Sequence, residues 1–149
     1  MTTSRFRPSL KNVTRDLPAT LRRHGVRPSA QRVAIADYVL RTDAHPSADQ
    51  VWARVRRGFP MLSRATVYNT LNAFVRRGLL RQLVLAEGKV VFDPKVDAHH
   101  HFIDEATGRI HDVPWDAVRV DRVGSLPEFD VREYQVVMRG RRRGRGRPR

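Results

Sequence analysis

The spacing of apolar residues changes near residue 79, and this change limits the fold more than any other feature of the chain. Before it, four segments place apolar residues three or four positions apart, as an amphipathic helix does. After it, the pattern becomes strand-like in 79–85 and again in 89–92, with Glu87-Gly88 as the turn between them. Four helices followed by a two-stranded hairpin predict a winged helix-turn-helix whose fourth helix is the recognition helix.

Each helical segment begins with a residue that can cap a helix N-terminus. These residues are Asp16, Ser29, Ser47 and Ser63. Gln50 lies three positions after Ser47, so these two residues form a capping-box pattern. Gly25 and Gly78 are predicted to end the first and the fourth helix, because glycine readily adopts the left-handed conformation found there.

Beyond Asp93 the alternation predicts three more strands, at 99–103, 109–113 and 130–137. The predicted fold class is therefore α+β, with a winged-helix DNA-binding domain over 1–92 and a small α/β dimerisation domain over 93–138. The second domain is too small to be stable alone, which favours a dimer. The arginine-rich end, 139–149, has no apolar residue to bury and is predicted to be a disordered tail.

The charge of the chain divides in the same way. The 149 residues contain 29 Lys and Arg against 15 Asp and Glu, a net charge of +14. By count along the sequence, residues 1–92 hold +12, residues 93–138 hold −5 and the last eleven hold +7. A strongly basic module favours an anionic partner, of which nucleic acid is the first candidate.

The chain has no cysteine, which excludes disulfides, thiolate zinc sites and cysteine nucleophiles. No apolar run is long enough for a membrane span or a secretory signal, so we expect a cytoplasmic protein.

The fourth helix carries the candidate DNA contacts. Its apolar residues share one face, and its other face presents short polar and aromatic side chains that suit base edges in a major groove. The candidates are Arg64, Tyr68, Asn69 and Asn72 on the helix, and Lys89 on the hairpin. A polar helix face can also simply meet solvent, but the basic charge of the module favours DNA.

A run of three histidines points to a metal site. On a strand, His99 and His101 lie on one face and His100 on the other, so one face can offer two imidazoles to one metal ion. Asp93 and Asp112 supply carboxylates nearby in the sequence. A site with nitrogen and oxygen ligands and no sulfur suits Fe(II), Mn(II), Zn(II) or Co(II).

Four stretches of the chain together resemble the ferric uptake regulator (Fur) family over about residues 17–140. They are GVRPSAQR (25–32), HPSADQVW (45–52), SRATVYNTLNAF (63–74) and HHHFIDEATGRIHD (99–112). The resemblance implies a homodimeric, metal-dependent repressor of transcription that binds double-stranded operator DNA. It also implies an N-terminal winged helix and a C-terminal α/β dimerisation domain.

Matched residue by residue, the resemblance implies specific roles. The regulatory metal ligands fall on His45, Asp93, His99, His101 and Asp112. The implied metal is Fe(II) or Mn(II), with Zn(II) able to replace it in vitro. Tyr68 is implied as the main base-contacting residue with Asn69 beside it, and Arg27 as a residue that enters the minor groove.

The chain lacks the cysteines that hold a structural zinc ion in many members of the family. The positions of the two usual Cys-x-x-Cys pairs hold Asp104 and Thr107, then Arg142 and Arg145, so we expect no structural zinc held by four cysteines. The segment 115–129 is short and contains Gly124 and Pro127, so we expect the long helix of the second domain to be truncated or lost.

The signal that is sensed has more than one interpretation. Asp rather than Glu at position 112 resembles the peroxide-sensing members, in which bound Fe(II) leads to oxidation of a ligand histidine, here His45 or His99. Sensing of iron is the alternative, and the three-histidine run also resembles haem-responsive members. From another class, a nonspecific basic nucleic-acid-binding protein is possible. A metal-dependent hydrolase ranks last because no general base is evident, so we expect no enzymatic activity.

Overall fold

The computed structural model describes residues 16–144, which fall into two compact units divided between residues 96 and 97. The first contains four helices and a two-stranded sheet, and the second contains a three-stranded sheet. This confirms the predicted α+β class. Within the described residues, no helix is both long and apolar enough to cross a bilayer.

The four helices of the first unit start at the predicted caps. They are α1 (Leu17–Arg23), α2 (Ala30–Val39), α3 (Ala48–Val55) and α4 (Arg64–Arg76). The side-chain oxygen of each cap residue accepts a hydrogen bond from a backbone N–H in the first turn of its helix. Ser47 and Gln50 form the complete capping box, with each side chain bonded to the other residue's backbone N–H. Local sequence therefore defines where these helices begin.

The core of the first unit forms where the apolar faces of the helices meet. Ile35 of α2, Val51 of α3 and Leu71 and Phe74 of α4 are completely buried. Burial of each such side chain stabilises the fold by about 1.5–3 kcal/mol relative to leaving it exposed. Because α4 buries this face, its opposite face is left for other contacts, as the sequence predicted.

The hairpin follows α4 directly. Strands β1 (Arg81–Val84) and β2 (Val90–Asp93) pair antiparallel, with Arg81 opposite Asp93. A 3-10 turn at Ala86–Gly88 joins them, and both Glu87 and Gly88 have positive φ there. This confirms the predicted wing and its turn, although β1 is shorter at both ends than the predicted 79–85 and β2 is shifted by one residue from the predicted 89–92.

The second unit contains β3 (His100–Asp104), β4 (Ile110–Val113) and β5 (Val137–Gly140), in the order β4-β3-β5. Strand β3 pairs antiparallel with β4 and parallel with β5. Between β4 and β5 the structure describes only two short 3-10 turns, at Trp115–Ala117 and Val123–Ser125. The expected loss of the long helix is therefore confirmed.

The predicted strand at 130–137 was wrong. Residues 130–136 have no regular structure, and β5 begins only at Val137. The backbone N–H of Val136 donates to Nδ1 of His100 at 3.0 Å, so a side chain takes the place of a strand partner there. Arg139 and Gly140, assigned from the sequence to the tail, belong to β5, while residues 145–149 of that tail lie outside the described part of the chain.

A polar turn joins β3 to β4 at the position of the first cysteine pair of the family. The Asp104 carboxylate accepts hydrogen bonds from the Ala106 N–H and from the Thr107 hydroxyl, each at 3.0 Å. The Thr107 oxygen in turn accepts from the Arg109 N–H at 3.2 Å. Hydrogen bonds from side chains without a thiolate therefore close this turn.

Candidate functional site

In the first unit, His45 and Asp93 form a buried pair. Nε2 of His45 lies 3.1 Å from Oδ2 of Asp93, and the exposed fractions of the two side chains are 2% and 4%. Two backbone features bring them together: Asp93 ends β2, and the N–H of the preceding residue, Phe92, donates to the Pro46 carbonyl at 2.9 Å. The loop before α3 is thus bonded to the wing strand, and His45 reaches the carboxylate.

The protonation of His45 is set by its other nitrogen. Nδ1 lies 2.9 Å from the carbonyl oxygen of Asp43, so it carries the hydrogen and donates. In the neutral ring, Nε2 then presents a lone pair to the Asp93 carboxylate oxygen, which is an acceptor as well. Two acceptors at this distance need a shared proton or a cation between them.

The backbone of His45 is also unusual. Its φ of 50° lies in the left-handed region, which residues with a Cβ seldom adopt. Such a conformation costs about 1–3 kcal/mol and persists where the surrounding contacts require it. Here the Asp43 carbonyl and the Asp93 carboxylate fix the imidazole from both sides.

In the second unit, His99, His101 and Asp112 form a group on one face of the sheet. His101 lies directly opposite Asp112 in the β3–β4 ladder. Oδ1 of Asp112 is 3.4 Å from Nε2 of His99 and 3.7 Å from Nε2 of His101. Nδ1 of His99 donates to the Asp97 carbonyl at 2.6 Å, so its Nε2 also presents a lone pair to a carboxylate.

His100 points to the opposite face, as predicted, and its side chain is fully engaged. Its Nδ1 accepts from the Val136 N–H at 3.0 Å, and its Nε2 donates to the Trp115 carbonyl at 3.2 Å. The ring stacks on Trp115 with centroids 4.6 Å apart. Neither nitrogen is left for a metal, so the run of three histidines offers two ligands rather than three.

These two groups have the chemistry of a metal site. The first offers one imidazole and one carboxylate, and the second offers two imidazoles and one carboxylate, all donors that suit Fe(II), Mn(II) or Zn(II). In each unit a histidine is oriented by a backbone carbonyl at Nδ1, the usual arrangement for a histidine that ligates through Nε2. The residues therefore fit the metal that the sequence implied, and neither group by itself provides more than three ligands.

The candidate DNA contacts occupy the first unit. Tyr68 and Asn72, one turn apart on α4, line an open groove of about 470 Å³ together with Lys89 of the wing. Ser47, Ala48, Asp49, Gln82, Gly88, Val90 and Phe92 complete the lining. Tyr68 is 46% exposed, a high value for a large aromatic side chain. The groove thus brings together three of the six residues predicted from the sequence.

The other three candidates lie elsewhere on this unit. Asn69 is exposed on α4, and Arg27 is exposed in the loop before α2, where its carbonyl accepts from the Arg32 guanidinium at 2.8 Å. Arg64 contacts α3. Gln82 was not predicted from the sequence, although neighbouring residues on a strand point to opposite faces and Leu83 beside it is buried.

Comparison with known proteins gives a consistent result. The model of the ferric uptake regulator family matches residues 23–136. The peroxide-responsive repressor PerR of Staphylococcus aureus (strain USA300) is 31% identical over 134 residues, which are 89% of this chain and 90% of that protein. The solved ferric uptake regulator of Vibrio cholerae has a TM-score of 0.68 at 21% identity, covering 85% of this chain and 99% of that one. The Pseudomonas aeruginosa regulator with manganese has a TM-score of 0.64 at 22% identity, covering 86% and 98%. The two structures establish a shared fold.

Proposed function

The chain belongs to the ferric uptake regulator family, and from this premise we propose that it represses transcription in response to peroxide. It is a metal-dependent, DNA-binding regulator of the Fur type and not an enzyme, as the sequence predicted. Regulators of this family bind DNA and are dimeric. For this chain we propose a homodimer on double-stranded operator DNA and a cytoplasmic location.

One observation carries the proposal for the metal. In both units the Nδ1 of a histidine donates to a backbone carbonyl, and its Nε2 then faces a carboxylate oxygen. We propose that Fe(II) or Mn(II) is the regulatory metal, held by the ligand set that the family resemblance implies. The five ligands are His45, Asp93, His99, His101 and Asp112. Binding of this ion would favour the DNA-binding state of the protein and thereby raise affinity for the operator.

The peroxide response rests on the relative and on one residue. The S. aureus relative is named a peroxide-responsive repressor, and this chain carries Asp at position 112. A bound Fe(II) would catalyse the reaction of hydrogen peroxide at the site without a net change in its own oxidation state. One peroxide oxygen would be transferred to the imidazole of His45 or His99 and the other would leave as water, and the oxidised ring would be a poorer ligand. Loss of the ligand would release the operator.

Iron and haem remain as alternative signals. The resemblance to haem-responsive members lies in the histidine run, and His100 uses both ring nitrogens on backbone groups. Only His99 and His101 of the run would be available, and both belong to the proposed Fe(II) or Mn(II) site. We therefore place peroxide first, iron second and haem third.

The decisive test follows oxidation and DNA release in one sample. The protein is loaded anaerobically with Fe(II), bound to operator DNA and exposed to low concentrations of hydrogen peroxide. We expect release of DNA in step with a gain of one oxygen atom at His45 or His99, located by peptide mass spectrometry. Protein loaded with Mn(II) is the control, which should keep both its mass and its DNA.

Two results would contradict the proposal in different ways. Release of DNA without oxidation of either histidine would remove the peroxide mechanism and leave iron as the signal. Equal binding with and without metal, and equal binding to operator and random DNA, would favour the nonspecific nucleic-acid-binding alternative. A matched variant, Asp112→Glu, keeps a carboxylate ligand and should bind Mn(II) while losing sensitivity to peroxide.

A further inference from the structure

Arg64, the first residue of the recognition helix, has its guanidinium fixed by two residues of α3. Its Nη1 donates to Oδ1 of Asp49 at 3.2 Å. The same guanidinium lies over the ring of Trp52, 4.3 Å from the centroid. Asp49 and Trp52 are three residues apart on α3 and so share one face of that helix. The carboxylate of Asp49 and the ring of Trp52 together orient the guanidinium of this exposed arginine.

Trp52 is itself held in place. Its indole Nε1 donates to the Leu62 carbonyl at 2.9 Å, and Leu62 immediately precedes Ser63, the cap residue of α4. The ring is therefore bonded to the turn from which the recognition helix starts. A rigid platform at this point lowers the conformational entropy that Arg64 must lose when it binds a ligand.

The donors that remain on Arg64 point to a DNA contact. Within residues 16–144, Nε and Nη2 of Arg64 have no hydrogen-bond partner, and the side chain is 59% exposed. Asp49 also lines the groove with Tyr68 and Asn72, so Arg64 is held beside the candidate DNA surface. Residues at the N-terminus of a recognition helix contact base edges, and arginine with two free donors matches O6 and N7 of guanine.

We propose that Arg64 reads a guanine in each half of the operator, and that Asp49 and Trp52 are positioning residues for it. This inference rests on the proposed function, because it requires sequence-specific binding to DNA. In this proposal Asp49 favours DNA binding, although its negative charge alone would oppose it. A carboxylate on a DNA-binding surface repels phosphates, so a purely electrostatic view makes Asp49 unfavourable for binding.

Asp49→Asn is a sharp test because the charge effect and the positioning effect predict opposite changes in operator affinity. The substitution removes a negative charge and keeps the size of the side chain. If Asp49 acts only through its charge, the variant binds all DNA more tightly. If it positions Arg64, the variant binds the operator about fivefold more weakly, while binding to scrambled DNA stays the same or tightens. Arg64→Gln should weaken operator binding by about tenfold or more, as expected for loss of a bidentate base contact.

The chain contains a well-matched control. Arg41, two residues after the end of α2, and Asp37 of α2 form another exposed pair with the same separation, 3.2 Å, and side-chain exposures of 49% and 56%. Arg64 and Asp49 have exposures of 59% and 58%. Asp37→Asn should leave both the operator affinity and the sequence preference unchanged. Exposed pairs of this kind contribute little to folding stability, so each variant is expected to fold.

The experiment uses full-length protein loaded with Mn(II) and a randomised pool of duplex DNA. Sequencing after selection gives the preferred bases for wild type, Asp49→Asn, Arg64→Gln and the double variant, and affinities are then measured on the selected and on a scrambled duplex. We expect wild type to select an inverted repeat with a guanine in each half. Both single variants should lose that preference, and the double variant should be no weaker than Arg64→Gln alone.

The outcomes separate this inference from the proposed function. An unchanged guanine preference in Arg64→Gln overturns the inference while leaving the regulator intact. Equal weakening on selected and scrambled DNA shows that Arg64 contacts a phosphate, which also overturns it. Tighter binding of Asp49→Asn to both duplexes contradicts the positioning role. If wild type selects no sequence at all, the proposed function fails and this inference fails with it.

Discussion

Replacing His100 by alanine should destabilise the second unit strongly without removing a metal ligand. The side chain is completely buried, and the substitution leaves the Val136 N–H and the Trp115 carbonyl without their partner. Each unsatisfied group costs about 1–3 kcal/mol, and loss of the stacked contact adds about 0.5–1.5 kcal/mol. We expect the free energy of unfolding of this unit to fall by about 4 kcal/mol.

Urea unfolding followed by tryptophan fluorescence measures this change. The chain has two tryptophans, Trp52 and Trp115, so a Trp52→Phe background lets the signal report the second unit alone. His111→Ala is the matched control. His111 lies on the same sheet face as His100 and is half-buried, and its buried Nε2 has no hydrogen-bond partner among the described residues. Its replacement should cost clearly less, because no partner is left unsatisfied at Nε2.

Two outcomes would contradict the structural role of His100. A loss below about 1 kcal/mol in His100→Ala would mean that the two backbone bonds contribute far less than buried bonds usually do. A variant that unfolds normally but no longer binds Mn(II) would identify His100 as a ligand. In both cases the division of the histidine run into two ligands and one structural residue would be wrong.

Three further outcomes are expected. Phe74→Ala, at a completely buried position of α4, should lower the free energy of unfolding of the first unit by about 3–5 kcal/mol in urea titrations, and a loss below about 1 kcal/mol would contradict the assigned core. Tyr68→Ala, at a position 46% exposed, should leave unfolding almost unchanged while weakening operator binding at least tenfold in fluorescence anisotropy, and unchanged affinity would remove Tyr68 from the DNA surface. Deletion of 141–149 removes six arginines. For each of them that contacts a phosphate, the magnitude of the slope of log affinity against log salt concentration should fall by about 0.9, equally on operator and random DNA. An unchanged slope would show that the tail makes no such contact.

Features that depend on neighbouring residues were predictable from the sequence. The four caps, the capping box at Ser47 and the wing turn at Glu87 involve residues no more than three or four positions apart. The opposite directions of His99 and His100 follow from the two-residue period of a strand. The spacing of His99 and His101 and the nearby Asp93 and Asp112 already pointed to a metal site. Only His45 came from the family resemblance alone, because no local pattern links it to a carboxylate 48 positions away.

Features set by long-range contacts were not predictable. Strand β5 was misplaced because its start depends on His100, which takes the N–H of Val136 from 36 positions away. The pairing of Arg64 with Asp49 spans 15 positions and joins two helices whose separation the sequence does not encode locally. The engagement of His100 with the Trp115 carbonyl could not be inferred from the histidine pattern either, since a carbonyl can be supplied by any residue.

The central claim is that metal binding and operator binding are coupled, and reciprocity tests it most directly. The affinity for Mn(II) is measured by titration with and without saturating operator DNA, and the affinity for the operator is measured with and without saturating Mn(II). Linkage requires the two affinities to rise by the same factor, which for a metal-dependent repressor should be at least tenfold. His99→Ala should abolish both increases. An affinity for Mn(II) that is the same with and without operator DNA would contradict the claim.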